Sequence, residues 1–138
     1  MLPGGDQSIA VVISAGKKVA VGEATVGGFW HAFRWTAATG MVDLGTLGGP
    51  ESAAFAVNGD GSVIVGSALT SGSTGSDHPF RWTAKTGMQD LTKLVNVPQH
   101  LILQSVVGVS QDGTVITGNG FNTRLGMDEP WRAVLPLP

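Results

Sequence analysis

Apolar positions along the chain come in short runs with no helical stripe. Val19 to Ala24 and Val63 to Ala68 are rich in β-branched and small residues, and glycine or Asp-Gly punctuation bounds them. The nearest approach to a helical segment is Asp90 to Val97, which Pro98 stops. In the middle of the chain this pattern predicts strands near 53–57, 62–68, 79–84 and 88–91. Further on it predicts three more, near 103–109, 114–119 and 131–135. The chain reads as all-β.

The same pattern recurs. Val63-Ile64-Val65-Gly66 matches Val19-Ala20-Val21-Gly22 and Val115-Ile116-Thr117-Gly118. His31-Ala32-Phe33-Arg34-Trp35-Thr36 matches His78-Pro79-Phe80-Arg81-Trp82-Thr83, with a weaker third copy at Glu129-Pro130-Trp131-Arg132-Ala133. Thr39-Gly40-Met41-Val42-Asp43-Leu44 matches Thr86-Gly87-Met88-Gln89-Asp90-Leu91. The single domain 1–138 therefore divides into units of about 4–47, 48–97 and 98–138, the last incomplete. Four short antiparallel strands in roughly 45 residues is the arithmetic of a propeller blade. The expected fold is a β-propeller-like array of about three four-stranded blades. Three blades are too few to close a ring, since rings hold roughly four to eight. The array is expected to be completed by oligomerisation, with a homodimer favoured, or to be part of a longer ring.

Within a unit, Arg34 and Asp43 are placed directly opposite each other across a hairpin, and so are Arg81 and Asp90, as a cross-strand pair within the blade. Arg132 has no such partner and is open to the C-terminus, another chain or a ligand. Phe33 with Trp35, and Phe80 with Trp82, share a strand face and are expected between neighbouring blades. An aromatic platform for a sugar is the alternative.

The string HAFRWTAATGMVDLGTLGG at 31–49 closely resembles the HAF-repeat family of bacterial extracellular proteins. DHPFRWTAKTGMQDL at 77–91, VNGDGSVIVGSA at 57–68 and VSQDGTVITGN at 109–119 are similar to the same family, so the resemblance covers most of the chain. The third copy departs from it: Trp131 replaces Phe, Ala133 replaces Trp and the Thr-Gly-Met segment is missing. The first copy has Ala15-Gly16-Lys17 where the others have Asp-Gly. The resemblance implies an extracellular or periplasmic β-repeat protein of propeller-like arrangement. It implies no established chemistry and carries over no catalytic residue.

Composition narrows the partners. The 138 residues include 21 glycines, no cysteine and only 13% charged residues. Thiol chemistry, disulfides and thiolate metal sites are thus excluded. With a net charge of −2 and no basic cluster beyond Lys17-Lys18, a nucleic-acid partner is not expected. Nor is a membrane span, because the longest apolar run falls well short of the ~20 residues that a helical crossing needs. Residues 1–15 lack the layout of a signal peptide, so the signal of an exported parent is expected to lie upstream or to have been removed.

Two sets of side chains invite a functional reading. Asn58 and Asp60 in one Asp-Gly loop, Asp112 in the next, and Asn119 supply oxygens of the kind Ca²⁺ takes, although each loop offers about three of the six to eight needed. Asp-Gly is equally a favoured hairpin turn. His31 and His78 stand at equivalent places just before the aromatic strand, with Glu129 at the third. They would bind a metal or act as a base if they converged, or else each ring would bond a backbone carbonyl as a packing residue. Gly72-Ser73-Thr74-Gly75-Ser76 precedes Asp77-His78 and raises a Ser/His/Asp arrangement, though no nucleophile-elbow motif is present.

Three functions follow. The first is an exported module for assembly or ligand recognition. The second is a Ca²⁺-assisted lactonase or esterase at a propeller axis. The third is a lectin-like sugar binder; a small-molecule or glycan ligand is the partner considered.

Overall fold

The computed structural model describes residues 1–72 and 76–138. Among these lie 11 strands in three antiparallel sheets. The first sheet runs β1 (Ser8–Ile13), β2 (Ala20–Val26), β3 (Phe29–Thr36), β4 (Gly40–Asp43), in that spatial order. The second repeats it with β5 (Gly48–Val57), β6 (Val63–Thr70), β7 (Asp77–Thr83) and β8 (Gly87–Asp90). The third has β9 (Leu101–Val109), β10 (Val115–Asn122) and β11 (Met127–Val134), with β10 in the middle. A single helical turn, α1 (Leu91–Leu94), is capped by Asp90 and precedes the third sheet. The sheets stack face on face, β5 lying against β1 to β3 and β9 against β5 to β7. They do not close into a ring.

Alternation explains the stacking, because a strand points successive side chains to opposite faces and the faces that meet here are apolar. One core layer joins Val19, Val21, Ala32 and Leu44 of the first sheet to Ala54, Ile64, Ala68 and Phe80 of the second. The next joins Val63, Val65 and Leu91 to Leu103, Val106, Ile116, Trp131 and Ala133. Phe80 is fully buried. It pairs across the sheet with Gly66, just as Phe33 pairs with Gly22 and Trp131 with Gly118. A Cβ on Gly66 would run into the Ala53 carbonyl and lie 2.9 Å from the Phe80 ring. The repeated Val-x-Val/Thr-Gly string therefore makes room for an aromatic ring beside a bulged first strand, whose register shifts at Ala10/Val12 and again at Ala54/Ala56.

Hydrogen bonds also join the blades. The buried amide of Ala32 donates to Ser52 Oγ at 2.8 Å, and that hydroxyl donates to the Gly45 carbonyl at 2.5 Å. The equivalent of Ala32 in the second blade is Pro79, which has no N–H to satisfy, and Leu103 takes the register position of Ser52, pairing with Gly120 as Ser52 pairs with Ala68. The β1–β2, β5–β6 and β9–β10 turns form a column. Gly16 N donates to Gly59 O at 3.1 Å, and Gly59 N donates to Gln111 O at 3.0 Å.

Two expectations are corrected. Asp43 pairs with Phe33 and not with Arg34, whose partner is Val42. In the second blade Asp90 pairs with Phe80, and Arg81 with Gln89. The reason is the turn: Thr36 pairs with Gly40 around a three-residue loop, with Gly40 at φ 66°. That loop shifts the register by one residue and sends Arg and Asp to opposite faces. Arg34 Nε instead donates to the Gly61 carbonyl of the next blade at 3.2 Å. Arg81 Nη1 donates to the Pro136 carbonyl at 3.1 Å, and its Nη2 to Gln89 Oε1. Trp35 was expected between blades, but it is 41% exposed, because no described blade packs on that side of the first sheet.

Lys17 occupies the left-handed position (φ 56°) that Gly61 and Gly113 fill in the other two turns, both at φ 79°. Lys17→Gly is expected to stabilise the fold by about 1 kcal/mol in denaturant unfolding, since an L side chain is strained there. Ser52→Ala leaves the Ala32 amide buried without an acceptor. It should cost about 1–3 kcal/mol in the same measurement.

Candidate functional site

The candidate groups fall into two places, the His–Asp pairs on the aromatic strands and the column of turns. His31 sits on β3 one diagonal step from Asp43, on the same face. Its Nδ1 lies 2.9 Å from Asp43 Oδ2 and 3.1 Å from Oδ1. Its Nε2 lies 3.2 Å from the Pro50 carbonyl on β5. Both partners are acceptors, so the protonated ring serves both and a neutral tautomer serves one. Asp43 also accepts from Gly45 N at 2.8 Å. His31 thus ties the end of its own hairpin to the first strand of the next blade. It combines the carbonyl bond expected of a packing histidine with a carboxylate contact that was not expected.

The second pair repeats the first half of this geometry. His78 Nδ1 lies 2.8 Å from Asp90 Oδ2. Asp90 Oδ1 accepts from Thr92 N at 2.9 Å and from Thr92 Oγ1 at 2.6 Å, which caps α1. Burial acts to raise the Asp90 pKa. The hydrogen bonds from Thr92 and His78 outweigh it, and the carboxyl titrates below the usual aspartate value. His78 lines a groove of about 560 Å³ with Ser76, Thr92, Leu101 and Gln104. Of the serines weighed for a Ser/His/Asp arrangement, Ser73 lies outside the described residues, as do Thr74 and Gly75. The signal for the pairs was present in the chain. His31 and Asp43 are 12 residues apart, and so are His78 and Asp90.

In the turns, the oxygens considered for Ca²⁺ are engaged locally. Asn58 is buried; its Oδ1 accepts from Val63 N at 2.8 Å, and its Nδ2 donates to Ser62 Oγ at 3.1 Å. Asp60 Oδ1 accepts from Ser62 Oγ at 2.6 Å and Ser62 N at 2.9 Å. Asp112 Oδ1 accepts from Ser110 Oγ at 2.6 Å, Thr114 Oγ1 at 2.8 Å and Thr114 N at 3.0 Å. The column sets the Asn58/Asp60 turn beside the Asp112 turn. Asn119 stands apart on β10, exposed, with its backbone carbonyl accepting from Trp131 Nε1 at 2.9 Å. Glu129 accepts from Asn122 Nδ2 at 2.6 Å. Among the described residues, no three His, Cys, Asp or Glu side chains gather as a metal ion would require. The His31/His78/Glu129 set does not converge.

Arg81 is buried with its Nε unpartnered among the described residues, and burial lowers its pKa. No described helix is long and apolar enough to cross a membrane.

No family model matches the chain, and no curated protein does. Among solved structures it is similar to TolB from Acinetobacter baumannii, a protein that contains a β-propeller. The TM-score is 0.52 at 14% identity, over 91% of this chain and 32% of that one. At that identity the likeness concerns the fold, and the chain spans about a third of its neighbour's length.

The turn carboxylates make an acid-stability prediction. Asp112 is held down at about 2 by Ser110 Oγ first and then by Thr114, and Asp60 is lowered by Ser62. Carboxyls with depressed folded pKa values stabilise above the unfolded value near 3.8 and lose that contribution as the pH falls through the folded one. Stability by urea unfolding should hold from neutrality to about pH 4 and fall between about pH 4 and 2. Asp112→Asn should flatten part of that fall.

Proposed function

We propose that this chain is an exported β-propeller-type repeat module that works by assembly and ligand recognition, with no chemistry of its own. The observation that carries the reading is the fate of the candidate reactive groups. Asp43 and Asp90 orient histidines and cap turns. One carboxylate oxygen of Asp60 and one of Asp112 accept from Ser and Thr donors in their own loops, and both ring nitrogens of His31 lie within hydrogen-bond distance of acceptors. Groups used this way rigidify a scaffold, since hydrogen bonds to an ionised acceptor are the stronger kind. A scaffold with exposed apolar positions on its end blades is suited to docking. Export, and a place outside the cytoplasm, rest on the resemblance to HAF-repeat proteins.

The competing reading is the Ca²⁺-assisted lactonase or esterase. It would draw on Asn58, Asp60, Asp112 and Asn119 as ligands and on His31 or His78 as base. His78 on the wall of its groove is the feature that favours it. The two readings separate in one experiment. A bound ligand raises the melting temperature of the state it binds. Melting curves with excess CaCl₂ and with EDTA should superimpose, and a panel of small lactones and esters should not be turned over. A Ca²⁺-dependent rise that Asp112→Asn removes, together with chelator-sensitive turnover, would overturn the module reading.

A further inference from the structure

The repeat makes each blade a control for its neighbour. On the second blade, Ser52, Ala54, Val57 and Trp82 all face the first sheet: Ser52 and Ala54 are buried, and Val57 and Trp82 pack half-buried against the shared core. Their equivalents on the first blade are Ser8, Ala10, Ile13 and Trp35. All four are exposed, with Ile13 at 61% and Trp35 at 41%. Side chains at matching register positions differ in that no described blade packs on those of the first. At the far end, Val107, Thr117, Asn119, Pro130 and Arg132 line a groove of about 490 Å³ on the face that would meet a following blade.

The polar contacts at the two ends are complementary as well. Arg34 and Arg81 each donate to a backbone carbonyl of the following unit, those of Gly61 and Pro136. Arg132, the third member of the series, is exposed and has no such partner among the described residues. The carbonyl equivalent to Gly61 O in the first blade is that of Lys17. The column of turns ends in the same way. Among the described residues, the Ala15 carbonyl at one end and the Gln111 amide at the other lack the partner that Gly59 supplies between them.

We infer that these two ends dock on each other between two copies of the chain, head to tail. Arg132 of one copy donates to the Lys17 carbonyl of the other, and the Gln111 amide donates to the Ala15 carbonyl. Ile13 and Trp35 of the second copy cover the face around Arg132 and Val107. The contact is heterologous, joining two different surfaces, and two such junctions close a pair. The templates lie inside the chain, the Arg34–Gly61 bond of the first junction for the arginine and the Gly59–Gln111 bond of the second for the turns, so the occupant that fits is another blade of this repeat. The inference rests on the assembly reading above and names its partner.

Sedimentation of the full chain at micromolar concentration should give a species of about 28 kDa, twice the 14.1 kDa of one chain. Ile13→Asp alone and Arg132→Ala with Val107→Asp should each sediment as monomers with an unchanged circular dichroism spectrum. All three side chains are exposed in the single chain, so the fold does not depend on them. Mixing the two variants should restore a dimer, because one leaves the leading surface intact and the other the trailing surface. A wild-type monomer, an open-ended series of larger species, or a dimer indifferent to both variants would overturn the inference. A monomer would leave the module reading standing, since that reading falls only with calcium-dependent turnover.

Discussion

The structure depends on one constraint: no sheet in this chain can satisfy both of its faces alone. The faces that meet between neighbouring sheets are apolar, and water must be kept from them. The repeat answers by laying the first strand of each blade across the preceding sheet. Ala54 and Phe80 then pack on Val21 and Ala32, and Val106 and Trp131 on Val63 and Val65. Polar contacts are placed at the same junctions. Ser52 satisfies the Ala32 amide, Arg34 reaches Gly61, His31 reaches Pro50, and the turns join in a column. Cohesion between blades is therefore as specific as pairing within them.

This constraint also governs the candidate chemistry. A histidine beside an aspartate resembles part of a catalytic relay, yet here the pair recurs at the same place in two blades. In the first blade the remaining ring nitrogen is directed at a backbone carbonyl. The Asp-Gly loops likewise use their carboxylates to hold the turn closed. Asp112 accepts from three donors on residues within two positions of itself. Such groups position the backbone. The repeat thus multiplies reactive-looking residues without concentrating them: Glu129 is bonded to Asn122, and Asn119 stands apart on β10.

Similarity to TolB at 14% identity fits a fold maintained by pattern more than by particular residues. The pattern needs a glycine beneath the ring, a β-branched run and a left-handed residue in the turn. Even Lys17 satisfies the last, at the cost of strain.

The chain by itself determined the strands, their number and their grouping, because these rest on local signals. β-Branched runs, turn glycines and Pro98 act over a few residues and read the same in any context. Tertiary structure decided which side chains meet. The three-residue loop before Gly40 and Gly87 moved the hairpin register by one position, and in a strand one position exchanges the faces. Arginine was thereby turned toward the following blade and aspartate toward histidine. The exposure of Trp35 against the partial burial of Trp82 was equally beyond reach of the sequence, since the two lie in near-identical strings. Their difference comes from stacking, a relation between distant segments that no local pattern encodes.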